Sequence, residues 1–170
     1  MGSETDRSRT VLFVCTANVC RSPMAEAIFS ALAAEGGLHL EARSAGVAAL
    51  VGEPVAPKAR AALEEVGISV NGHRARQVSA AMIEQADLVL AMTPRHVDAL
   101  HRLSASSSGK VHTLLGYAND TPDVEGVPDP YGQSMTAHRA TVRQLHRNLY
   151  ALVRRLENER RRWTITLSGR

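Results

Sequence analysis

Apolar residues along this chain follow two alternating rhythms. Uninterrupted runs such as Val11-Leu12-Phe13-Val14 and Leu88-Val89-Leu90-Ala91 read as strands buried on both faces. Between them, apolar positions recur every three or four residues, the spacing of one helical face. Met24, Ala27, Ile28, Ala31 and Leu32 trace such a face until Gly36-Gly37. Val142, Leu145, Leu149, Leu152, Val153 and Leu156 trace a longer one near the end of the chain. The pattern predicts strands over 10–15, 39–44, 86–91 and 110–115, and helices over 22–35, 54–67, 78–84, 94–102 and 134–161. Ser104 to Gly109 reads as a small polar turn, and residues 1–8 and 164–170 as flexible tails. Alternating strands and helices imply right-handed crossovers. The expected fold is therefore α/β, a single domain over 1–170 with a four-stranded parallel sheet flanked by helices on both faces. Ligands in such a sheet bind at the carboxyl ends of strands, and Cys15 ends the first one.

The residues after that strand carry chemistry. In Cys15-Thr16-Ala17-Asn18-Val19-Cys20-Arg21-Ser22-Pro23, a cysteine enters a short loop, an arginine closes it, and Ser22-Pro23 opens a helix. Ser22 suits an N-cap and Pro23 the first helical position. The amides of residues 16–21 and the helix N-terminus would then converge where an anion is stabilised. The same field favours the thiolate form of Cys15. Arg21 adds a planar fork that grips two phosphate oxygens at once. The C-x5-R spacing alone is a weak signal, and its setting between a buried strand and a helix strengthens it. An inert buried cysteine is the bland alternative, and it leaves Arg21 unexplained.

A phosphate-cleaving loop also needs a proton donor for the leaving oxygen. The longest irregular stretch, Asn119 to Ser134, contains Pro128-Asp129-Pro130, and structureless stretches of that length are commonly functional. Asp129 is the first candidate and Asp123 the fallback. On composition alone, a simple turn would account for Pro128-Asp129-Pro130.

Composition narrows the classes. At 170 residues, 44% apolar and 22% charged, the chain is of ordinary globular make-up. The longest uncharged apolar stretch, Ala45 to Gly52, is too short to span a bilayer, so no membrane insertion and a cytoplasmic setting are expected. Two cysteines argue against a disulfide scaffold, and C-x4-C without clustered histidines argues against a metal site. No metal and no cofactor are expected. The net charge of +3 reflects a local run, Arg154, Arg155, Arg160, Arg161 and Arg162, which reads as the solvated face of a last helix. With 4% aromatic residues for base stacking, no nucleic acid is expected.

Taken together, these residues resemble the low-molecular-weight protein tyrosine phosphatases, in particular bacterial-type members. Cys15 to Pro23 is similar to their nucleophile loop, and Asp129-Pro130-Tyr131-Gly132 to their general-acid loop. Ser44-Ala45-Gly46, His73-Arg74-Ala75-Arg76-Gln77 and Ala86 to Met92 add further echoes, so that the likeness spans about residues 9–156. The resemblance implies a flavodoxin-like, doubly wound sheet and hydrolysis of phosphotyrosine on a protein through a phosphocysteine intermediate. Cys15, Arg21 and Asp129 would be catalytic, and Thr16, Ala17, Asn18, Val19, Cys20, Arg21 and Ser22 would bind phosphate. Asn18, Ser22 and Ser44 would support the loop, Val19 and Tyr131 would line the substrate pocket, and Cys20 would protect Cys15 by a reversible disulfide or simply pack beneath the loop. The expected partner is a phosphorylated protein, with the chain itself a monomer or weak dimer.

The chain departs from the common pattern at Thr16, Ala17 and Gly132. Ala17 stands where many members carry Gly, so a positive φ there would strain the loop. Phosphoarginine is the alternative substrate. Relatives that remove it are similar around Thr16, Met92-Thr93 and His96 but tend to have a hydroxyl residue where this chain has Val19. A non-catalytic phosphate-binding scaffold is the alternative of another class, and thiol-dependent arsenate reduction would call for cysteines beyond the two present.

Overall fold

The computed structural model describes residues 8–168, with side chains through 161. Four parallel strands, β1 (Arg9–Cys15), β2 (Leu40–Gly46), β3 (Leu88–Ala91) and β4 (Val111–Thr113), form one sheet in the order β2-β1-β3-β4. The helices are α1 (Arg21–Glu35), α2 (Pro57–Glu64), α3 (Ala80–Gln85), α4 (Pro94–Leu103), α5 (Leu114–Asn119) and α6 (Met135–Ser168). The strand order reverses at β1, and the carboxyl end of β1 is therefore the place where a doubly wound sheet opens a crevice. Cys15 occupies that end.

Alternation along β1 divides the interior in two. Val11, Phe13 and Cys15 join a core with α1 and α6, in which Phe13 meets Phe29 edge-on at 5.4 Å between ring centroids. Leu12 and Val14 face the opposite side and pack with Ile83 of α3 and Val97 and Leu100 of α4. Helices thus cover both faces, as the strand–helix alternation predicts. The α6 stripe is fully used, with Leu145, Leu149 and Leu152 buried completely. Burial of each such side chain is worth roughly 1.5–3 kcal/mol, which fixes α6 under the sheet. Among the described residues, no helix is long and apolar enough to cross a membrane.

Several local expectations are corrected. Helix α1 starts at Arg21 rather than Ser22, with Cys20 at the cap position and no side-chain cap, so Ser22 is not an N-cap and Pro23 is the third helical residue. Helix α5 takes residues expected to extend the fourth strand. Thr113 ends β4 and its Oγ1 accepts the Gly116 N–H at 3.0 Å, so strand passes directly into helix. Helix α2 is confined to Pro57–Glu64, and Ala105–Lys110 winds into a 3₁₀ turn. The backbone of α6 stays helical to Ser168, past its expected end at 161. Of the tails expected at 1–8 and 164–170, residues 1–7 and 169–170 lie outside the described residues.

Gly46, at the end of β2, ties the sheet to the Cys15 loop. Its N–H donates to the Arg76 carbonyl at 3.0 Å and its carbonyl accepts from Val78 at 2.9 Å. A Cβ at this position would collide with the Thr16 carbonyl oxygen and stand 3.0 Å from the Asn18 nitrogen. Backbone on both sides leaves nothing soft to yield. Gly46→Ala should therefore cost about 1–3 kcal/mol in denaturant unfolding and depress turnover, because the displaced atoms belong to the loop. Unchanged stability and turnover would show that the loop is not wedged against β2.

Candidate active site

The backbone between Cys15 and Arg21 turns every carbonyl outward. The Cys15 oxygen accepts from Val47 N (3.0 Å), Thr16 from Ala48 N (2.9 Å), Ala17 from Leu50 N (3.0 Å) and Val19 from Ala56 N (2.9 Å). The Asn18 carbonyl accepts from His73 Nε2 at 2.8 Å, and Cys20 from Met24 N at 3.0 Å. In a trans peptide the N–H points opposite to the C=O. Outward carbonyls at 15–20 therefore aim the amides of 16–21 at the concave side of the loop, which is a ready-made anion cradle.

The turn requires one left-handed residue, and it is Asn18, at φ +59. Asn tolerates this region better than most residues. Ala17 is not among the residues of positive φ, so it carries no strain from this source. Asn18 is completely buried, and its side-chain nitrogen donates to Ser22 Oγ (2.8 Å) and Ser44 Oγ (3.0 Å) while its Oδ1 accepts the Arg76 N–H (3.0 Å). The proton order can be followed from one end. Ser44 donates to the Glu26 carboxylate at 2.5 Å, which leaves its oxygen to accept from Asn18. Ser22 Oγ accepts the other Asn18 N–H, so its own proton faces two acceptors, Cys15 Sγ at 2.9 Å and the Ala45 carbonyl at 3.4 Å. The sulfur is the nearer.

Arg21 is 5% exposed. One terminal nitrogen donates to the Val127 carbonyl at 3.0 Å, and the other lies 3.4 Å from Thr16 Oγ1 and 3.2 Å from Asp129 Oδ2. Asp129 is half-exposed, and its second oxygen accepts the Tyr131 N–H at 3.1 Å. The contacts fall into two sets, Cys15 with Ser22 and Asn18, and Arg21 with Thr16, Val127 and Asp129, both built on the one loop. Tyr131 stands exposed next to Asp129, whereas Val19 is buried in the core cluster that holds Cys15 and Cys20. Both cysteines are free, and burial, followed by the charges of Asp129 and Cys15, pushes the Cys20 thiol up to about 12 against the pull of Arg21. Cys20 is therefore a protonated thiol at neutral pH. Asp123 is engaged elsewhere, accepting Thr113 N (2.9 Å) and Thr113 Oγ1 (2.7 Å), and acts as a brace at the β4–α5 junction.

Glu26, His73, Arg76 and His96 are the site's structural contributors that spacing alone did not single out individually. The signal for the 73–77 block and for His96 was the family resemblance alone. His96 sits at 6% exposure, with Nε2 2.8 Å from Thr16 Oγ1 and Nδ1 3.0 Å from Thr93 Oγ1. Burial and then the Arg21 charge push it down to about 4, against the opposing influence of Asp129. Among the described residues, no three His, Cys, Asp or Glu side chains are grouped to hold a metal ion. A cavity of about 400 Å³ lined by Asn119, Val124 and Arg147, among others, shares no residue with this cluster.

Residues 10–162 match the family described as low molecular weight phosphotyrosine protein phosphatase. The chain is 39% identical over 151 residues to a protein-arginine-phosphatase of Bacillus subtilis (strain 168), a match covering 89% of this chain and 99% of the relative. It is 40% identical over 126 residues to the low molecular weight protein-tyrosine-phosphatase YfkJ of the same organism, covering 72% of this chain and 80% of the relative. In three dimensions it is similar to a YwlE arginine phosphatase mutant with a phosphorylated active site serine, with a TM-score of 0.85, 38% identity, and coverage of 89% and 98%.

The buried histidine makes acid stability a probe of this cluster. Unfolding returns His96 toward its ordinary value of 6.5, so the unfolded chain takes up its proton first as pH falls. The stabilisation is complete above 6.5 and is lost as pH falls toward 4. Allowing for solvent screening it should amount to about 2 kcal/mol. Denaturant unfolding of the wild type between these pH values should show this loss, and His96→Gln should show correspondingly less. Equal pH slopes in both proteins would contradict a neutral, buried His96.

Proposed function

The chain belongs to the low molecular weight phosphotyrosine protein phosphatase family, and we propose that it hydrolyses phosphotyrosine on proteins through a phosphocysteine at Cys15. The observation that carries this reading is the run of outward carbonyls from Cys15 to Cys20, because it supplies inward amides around a sulfur that also receives a hydroxyl donor. An anion-binding loop built around a nucleophile is the arrangement phosphoryl transfer needs.

The reaction then takes two displacements. Cys15 thiolate attacks phosphorus, the ester P–O bond breaks toward the leaving oxygen, and the Asp129 carboxyl gives that oxygen its proton. Water next attacks the phosphocysteine, Asp129 accepts a proton from it, and the P–S bond breaks to restore the thiolate and release phosphate. Loose phosphoryl transition states spread charge over the equatorial oxygens, so the inward amides and the Arg21 fork carry most of the stabilisation. The 3.2 Å contact between Arg21 and Asp129 supports both groups serving one phosphate. Ser22 holds the thiolate between attacks, and Asn18 with Ser44 holds the loop. Cys20, held protonated by burial, is a weak nucleophile toward an oxidised Cys15 and packs beneath the loop. The two free thiols suit a reducing, cytoplasmic compartment, with the chain acting as a monomer or weak dimer on phosphorylated proteins.

Substrate choice rests on Tyr131. Its exposed aromatic ring beside Asp129 suits a flat phenyl group, whereas Val19, expected at the pocket mouth, is buried in the core and takes no part in the choice. Phosphoarginine is the second reading, favoured by the 39% identical relative named a protein-arginine-phosphatase. Initial rates on matched phosphotyrosyl and phosphoarginyl peptides decide between them. A kcat/KM at least about tenfold higher for phosphotyrosine is expected, and the reverse order would move the assignment to phosphoarginine.

Two variants test the chemistry. Cys15→Ser should abolish turnover on either peptide while inorganic phosphate still binds, and a protein with residual phosphatase turnover would have another nucleophile. Asp129→Asn should lower kcat by about 10²–10³ on phenyl phosphate. The loss should be smaller on p-nitrophenyl phosphate, whose leaving group departs without a proton. An equal loss on both substrates would remove the acid role from Asp129.

A further inference from the structure

We propose that His96 is a positioning residue of the phosphate site, setting the orientation of the Arg21 guanidinium through the Thr16 hydroxyl. The inference deepens the phosphatase reading above and rests on it.

Arg21 must present its fork in one plane, although its side chain is long and flexible. Its contacts come from three sources: the Val127 carbonyl on one terminal nitrogen, and Thr16 Oγ1 and Asp129 on the other. Asp129 cannot be a constant anchor, because in the proposed reaction its carboxyl turns to the leaving oxygen and then to water. Thr16 is the fixed partner on that side. Thr16 is itself exposed, and a free threonine hydroxyl there would rotate toward water. The imidazole of His96 holds it at 2.8 Å.

His96 is well suited to hold a hydroxyl in place. It is the third residue of α4, whose cap residue Thr93 contacts its Nδ1 at 3.0 Å and accepts its backbone N–H at 3.4 Å. The ring is therefore fixed by the helix packed on the opposite face of the sheet from α1. A neutral imidazole carries one donor and one acceptor, so one threonine hydroxyl donates to the ring and the other accepts from it. Either tautomer leaves Thr16 Oγ1 a lone pair for Arg21. Burial and the adjacent Arg21 charge keep the ring neutral, so it adds no second cation to compete for the phosphate. His96 touches no reacting atom and acts only through Thr16.

The competing explanation is that His96 merely completes the first turn of α4 with Thr93. The two roles use different ring nitrogens, and substitutions separate them. Gln reaches the position of Nε2 and Asn that of Nδ1. In the phosphatase assay with phenyl phosphate, His96→Asn should lower kcat about tenfold while KM moves within about twofold, since ground-state phosphate is still held by the loop amides. His96→Gln should stay within about threefold of wild type. Thr16→Val should match His96→Asn, and Thr16→Ser, which keeps the hydroxyl, should recover most of the loss. These two variants at an exposed loop position preserve the test even if a His96 substitution impairs folding. In the double variant, His96→Asn should add less than about twofold to Thr16→Val, because both remove one link. Equal losses in the Gln and Asn proteins, or losses that multiply in the double variant, would overturn the proposal and assign His96 to helix capping. Absence of turnover in the wild type would instead overturn the phosphatase reading, and the proposal with it.

Discussion

The site depends on one backbone constraint: six successive carbonyls, from Cys15 to Cys20, each have a hydrogen-bond donor on the outside of the loop. A loop with inward amides cannot hold itself by a ladder of its own, so its shape must come from its surroundings. The amides of 47, 48, 50 and 56, His73 and the first turn of α1 supply the donors, and Asn18 supplies the single left-handed residue that lets the chain curl. Every chemical role assigned to Cys15 and Arg21 follows from that curl. Without it the sulfur would be one more buried thiol beneath a sheet, and the guanidinium would have no common target with it.

Both faces of the sheet contribute to the same few atoms. Helix α1 carries Arg21, Ser22 and Glu26, the segment after β2 seals the loop's outer edge, and α4 reaches across with His96. The 127–131 segment brings Val127 to Arg21 and Asp129 to the same guanidinium. Position at the strand-order reversal makes this convergence possible, since β1 lies between β2 and β3 and its carboxyl end meets connections from both directions. A buried, neutral Cys20 under the loop and a buried, neutral His96 beside it leave Arg21 as the dominant positive charge facing the cradle.

How far the sequence disclosed this varies with the range of the interactions. The strands were legible because a fully buried parallel strand needs an unbroken apolar run, and the loop because Cys15, Arg21 and the following helix lie within one local segment. Ser22 suggested both a helix cap and a support for the Cys15 loop; the cap fails because α1 begins one residue earlier, and the support holds because the fold brings Cys15 Sγ within 2.9 Å of its hydroxyl. The short helix α5 was hidden because Leu114 and Leu115 continue the apolar run of β4, while Thr113 serves both as last strand residue and as cap. Val19 was expected at the pocket mouth, but the curl of the loop turns it into the core. The contact between Thr16 and His96 joins residues 80 apart in the chain, and no periodicity reports such a pair.

The account's central claim is that phosphate passes through a bond to one sulfur. Rapid acid quenching during turnover of an aryl phosphate, followed by peptide mass spectrometry, tests it directly. The account predicts a phosphoryl group on the Cys15 peptide segment, attached to Cys15 and not to Cys20, appearing before free phosphate is released. Release of phosphate with no phosphorylated enzyme at any time point, together with inversion of configuration at phosphorus, would contradict it.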